Sequence, residues 1–167
     1  MRRTILAIAV ILSLAIACLA QSKRGPSTKE ERDRVVAIAK TLEAQPLSKE
    51  VRKDREWLVL WLIEVPDVSV SVCTATLPYE KNYKYAGELI SVSMASSAAF
   101  VVENPDKSKD SIAVAQAGLE SLLRAYTNIL AGNPGAHSKN LDKVLSIQAE
   151  GKLSDYVNTQ WKKECKS

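Results

Sequence analysis

Trp57-Leu58-Val59-Leu60-Trp61-Leu62-Ile63 is an unbroken apolar run, preceded by charged residues (Glu50, Arg52, Lys53, Asp54, Arg55, Glu56) and closed by Pro66. Two of the chain's three tryptophans sit four apart in it, the spacing that puts them on one face of a helix. A helix that is apolar all round belongs in an interior. The run therefore predicts a central helix, buried on nearly every side. Removing one large apolar side chain from water contributes ~1.5–3 kcal/mol, so such a helix would dominate the core.

The rest of the chain supplies helical partners for it. Ser27-Thr28-Lys29-Glu30-Glu31 holds two overlapping capping boxes, Ser27 with Glu30 and Thr28 with Glu31. Val35, Ile38, Ala39 and Leu42 follow at helical spacing, and Pro46 stops that helix near Ala44. Ser48 is the expected cap of the tryptophan helix, and the short link around Pro46 predicts a helical hairpin. Tyr85 to Glu103 reads as a helix rich in small residues, suited to close approach of a neighbour. Ile112, Ala115, Leu119, Leu122, Leu123, Tyr126, Ile129 and Leu130 make the most regular apolar stripe in the chain. Ser138 caps a short helix ended by Gly151, and a last helix carries Leu153, Tyr156, Val157 and Trp161 to Cys165.

Residues 67–76 pull two ways. Valines at every second position (Val68, Val70, Val72) are a strand signature. No other stretch offers a partner strand, and a lone strand leaves its backbone groups unpaired. A helix capped by Asp67 is the preferred expectation. The fold expected is all-α, an irregular bundle or array of about six to seven helices built from antiparallel hairpins. Pro46, Pro105 and Pro134, each just past a helix, fall at unequal intervals, which excludes a fixed-period helical repeat.

Arg2 and Arg3 precede an apolar segment from Thr4 to Leu19, followed by Ala20. This is the pattern of a secretory signal peptide over residues 1–20. At about 16 residues the segment falls short of the usual membrane span. A single helical domain over residues 21–167 is expected after it. Ala15-Ile16-Ala17-Cys18 offers a second reading, a lipidated Cys18 that would tether the chain to a membrane. Either way the chain is expected outside the cytoplasm, periplasmic or secreted. Loss of Arg2 and Arg3 halves the formal net charge of +4, and the remaining basic residues are interspersed with acidic ones, which argues against nucleic acid.

Of three cysteines, Cys73 and Cys165 remain beyond the signal segment. In an oxidising compartment they predict one disulfide, worth about 4–5 kcal/mol in the chain-entropy picture of so long a loop. Two distant cysteines and one histidine lack metal-ligand spacing. His137 stands in a Gly/Pro loop, and the chain has no nucleophile elbow, phosphate-binding glycine loop or paired metal-ligand helix motif. No catalytic residue, metal or cofactor is predicted.

Tyr79, Tyr83 and Tyr85 cluster in one loop and form the candidate interaction surface, tyrosine being enriched at contacts. Their rings would equally well cover a core edge with the hydroxyls in water. The functional expectation is an exported, non-enzymatic domain that binds another protein. A small-molecule or lipid-binding helical domain, and a hydrolase using His137, are the alternatives.

Overall fold

The computed structural model describes residues 24–165, and the expected signal segment with Cys18 lies outside them. Six α-helices occur among the described residues: α1 (Lys29–Ala44), α2 (Arg52–Glu64), α3 (Ala86–Glu103), α4 (Ser111–Gly132), α5 (Lys139–Ala149) and α6 (Leu153–Glu164). No β-strand occurs among the described residues, in keeping with the all-α expectation.

Of the two overlapping capping boxes, the second forms. The Thr28 hydroxyl accepts from the Glu31 amide at 3.2 Å, and the Glu31 carboxylate accepts from the Thr28 amide at 3.0 Å. Ser27 is used elsewhere: its hydroxyl and amide both donate to the Asp67 carboxylate, at 2.7 and 2.8 Å. Val35, Ile38, Ala39 and Leu42 form the buried face of α1. Ser48 does not cap α2. Its hydroxyl accepts from the Glu50 amide at 3.2 Å, and α2 starts at Arg52 with no side-chain cap.

The centre of the molecule is α3 against α4, with α1 packed across both. Small residues allow this. Gly118 of α4 lies directly under α3, where an added Cβ would come within 2.7 Å of the Ser93 hydroxyl and 2.9 Å of the Ser93 carbonyl. The Ser97 hydroxyl donates to the Val114 carbonyl at 3.1 Å. A polar clasp joins the three helices at one edge: Ser96 of α3 donates to Ser121 of α4, which donates to Glu43 of α1, each at 2.6 Å. Arg124 holds the same carboxylate through two hydrogen bonds of 2.8 Å. Helices α5 and α6 pack on the far part of α4.

Helix α2 is not the centre. It packs on α1, and only Leu58 and Trp61 among its residues are buried. Trp57 lies half-buried, stacked on Trp61 and covered by the Arg34 guanidinium 4.0 Å above its ring. Val59, Leu60 and Ile63 are 40%, 59% and 75% exposed. The reason is geometric. Seven apolar residues in succession encircle a helix, yet one neighbour covers only one side. The bulk of two tryptophans also prevents the close approach that glycine and serine give α3 and α4.

The stretch after α2 is neither helix nor paired strand. Bends at Pro66 and Asp67 lead into an irregular segment, with Val68 buried and Ser69, Ser71 and Val72 exposed, that ends in a 3-10 turn at Thr74–Thr76. The preference for a helix here is therefore corrected. The backbone is extended at its two ends, Val65 and Cys73, the conformation that β-branched side chains favour. Helix α6 packs against the 3-10 turn, bringing Cys165 to disulfide distance of Cys73 with Cα atoms 5.8 Å apart.

Candidate functional site

Two loops meet at one end of the core. The first, Leu77–Lys84, leads into α3 and carries the tyrosines. The second, Asn133–His137, joins α4 to α5. The Tyr83 hydroxyl donates to the Ala136 carbonyl at 2.8 Å, and the Asn133 amide donates to the Tyr85 hydroxyl at 2.6 Å. Glu80 closes the junction by capping α5: its carboxylate accepts from the Ser138 hydroxyl at 2.6 Å and the Asn140 amide at 3.1 Å. Those bonds to the charged form, Ser138 foremost, hold the Glu80 carboxyl below its ordinary value.

Between the loops lies an open cleft of about 420 Å³, lined by Glu80 and Asn82–Tyr85 on one side and by Asn133 and Gly135–His137 on the other. Its floor is aromatic. Tyr83 stands at the middle, stacked on Tyr79 at 6.5 Å and edge-on to Tyr85 at 5.8 Å and Tyr126 at 6.3 Å. Burial, with the neighbouring Tyr85, Glu80 and Asp142 adding to it, pushes the Tyr83 hydroxyl up to about 12. Tyr85 is buried, while Tyr79 and Tyr83 are half-buried. Tyr83 and Tyr85 thus line the cleft, each held by a hydrogen bond to the facing loop, while Tyr79 stacks on Tyr83 outside the lining. The groups that project around it are Asn82, Lys84 and His137, all exposed.

Tyr126, fully buried on α4, supports the second loop. Its hydroxyl donates to Asp142 at 2.6 Å and accepts from the Ser138 amide at 2.8 Å. The other Asp142 oxygen lies 3.1 Å from Nδ1 of His137. Nδ1 of His137 is thus placed to hydrogen-bond this carboxylate, with Nε2 on the opposite side of the ring. This pair resembles the base half of a hydrolytic triad. The adjacent serine cannot serve as nucleophile, since the Ser138 hydroxyl is committed to Glu80 and to the Leu141 amide. Among the described residues no group of three or more metal-ligating side chains comes together.

Glu80, Tyr126, Asn133 and Asp142 are the site residues that sequence reading passes over. A visible signal exists for one of them. Asp142 follows the Ser138 cap by four residues, in the first turns where carboxylates favour a helix N-terminus. Compared with protein-family models, curated proteins and solved structures, the chain matches none.

Proposed function

We propose that this chain is an exported, non-enzymatic interaction module that receives a segment of another protein in the tyrosine-floored cleft. The observation that carries the reading is the cleft itself: an aromatic floor with Lys84, Glu80, Asn82 and His137 around it. Aromatic surface supplies contact energy, and a mixed polar rim supplies orientation. The loops are cross-tied through Tyr83, Asn133 and Glu80, so little ordering is left for a partner to impose. Export rests on Arg2, Arg3 and the apolar segment to Leu19, together with the Cys73–Cys165 pair.

A small-molecule ligand is the second reading, favoured by the cleft's volume of about 420 Å³, within the ~300–1,000 Å³ typical of such sites. Photo-crosslinking in the exporting cell separates the two. A photoreactive residue placed at Asn82 or at Lys84 should yield one discrete protein adduct. The same group at exposed Asp33, on α1, should not. His137→Ala should weaken the adduct while leaving the melting temperature unchanged. Equal labelling from all three positions, or none, overturns the reading. A small molecule retained in native mass spectrometry and displaced by Lys84→Glu favours the ligand instead.

A further inference from the structure

We infer that the outward face of α2 is a lipid-contacting surface, laid on the membrane–water interface by Val59, Leu60 and Ile63 when the chain is held there by its N-terminal segment. The inference shares with the proposed function only the export segment and is independent of the cleft.

Large exposed apolar side chains scattered singly need no explanation. These three are different. They occupy little more than one turn of a single helix, and Ile63 keeps 75% of its surface in water. At helical spacing, Lys53, Glu56, Leu60 and Ile63 fall on one stripe, with Arg52 and Val59 beside it. Basic groups therefore stand at one end of the stripe and apolar groups at the other. The carboxylate between them, Glu56, is held by Arg52 at 2.9 Å. With its apolar end toward the lipid, α2 would place its aliphatic side chains at the acyl boundary and its first-turn cations at the headgroup phosphates.

What selects lipid as the occupant is where the chain enters the fold. Arg24, the first described residue, donates to the Trp61 carbonyl at 3.4 Å and lies 4.0 Å from the Glu64 carboxylate. It also pairs with Glu31. The entry point is thus clasped to the apolar end of α2. The apolar run Thr4–Leu19 ends five residues before Arg24. Five residues reach at most about 17 Å. A bilayer that seats the end of this run is consequently within about 17 Å of the entry point on α2, and a lipid carried on Cys18 within about 21 Å of it. A second copy or a protein partner has no such reason to be at that spot.

The test uses the full chain reconstituted into phosphatidylethanolamine/phosphatidylglycerol vesicles, with and without brominated acyl chains. A Trp161→Phe background leaves Trp57 and Trp61, both on α2, as fluorescent reporters. Brominated lipid should quench them strongly, and the double change Leu60→Ser with Ile63→Ser should reduce the quenching several-fold while the melting temperature holds. Equal quenching in both proteins, or none in either, overturns the inference, because the tether alone would then account for membrane association. A crosslinked dimer that the double change abolishes also overturns it, in favour of a second copy. Adduct formation at Asn82 should be the same in both proteins, so failure here leaves the cleft reading standing.

Discussion

Glu43 joins α1 to α4, and its charge depends on pH. Burial alone would raise its carboxyl, but hydrogen bonds from Arg124 and Ser121, with the guanidinium's charge, outweigh that and hold it below the ordinary value of 4.5. A carboxyl depressed on folding contributes stability that is complete above its unfolded value and is lost as pH falls through the folded one. Chemical denaturation should therefore show stability declining below about pH 4.5, and Glu43→Gln should flatten that decline. At neutral pH the substitution should cost ~1 kcal/mol, because solvent screens the half-exposed Arg124. At this scale the sequence was legible where choice was narrow. Cys73 and Cys165, the two cysteines after Cys18, left one intramolecular pairing. Glu80 and Ser138 stand 58 residues apart, and no local pattern announces that a loop carboxylate will cap a distant helix. Tyr126 looked like one more apolar member of its stripe, although its hydroxyl organises Asp142 and Ser138.

Regular period was the readable property of the elements. The stripes of α1, α4 and α5 gave their limits to within a residue or two, since each helix buries one face against its neighbours. Helix α2 was assigned its type correctly and its place wrongly. Its unbroken run of seven apolar residues singled it out, whereas closeness of packing decides what lies at the centre, and Gly118 and the serines of α3 give that closeness. Gly118→Ala should accordingly cost ~1–3 kcal/mol, because the new methyl would meet the Ser93 backbone as well as two hydroxyls. Gly87→Ala, also in a helix but with open space around it, should raise stability by ~0.5–1 kcal/mol. Thermal melts of the two variants, moving in opposite directions, check the claim. Residues 67–73 were harder to assign, because alternating valines report an extended backbone and say nothing about whether a ladder partner exists.

For the whole molecule, the connector between α2 and α3 matters more than its lack of regular structure suggests. Asp67 fastens it to Ser27 near the start of the described chain, and Cys73 fastens it to Cys165 at the end. Thiol reductant should lower the melting temperature, by an amount corresponding to about 4–5 kcal/mol on the chain-entropy account; an unchanged melt would mean that the bridge does not form. The bridge also sets how the molecule carries force. With it closed, tension applied at residue 165 crosses the sulfurs to Cys73 and continues along the connector toward α2. Everything from Thr74 to Glu164 hangs slack inside a covalent ring of sequence separation 92. Both loops of the tyrosine cleft lie in that ring. A pull between the chain's two ends would strain α1 and α2 while the cleft kept its shape.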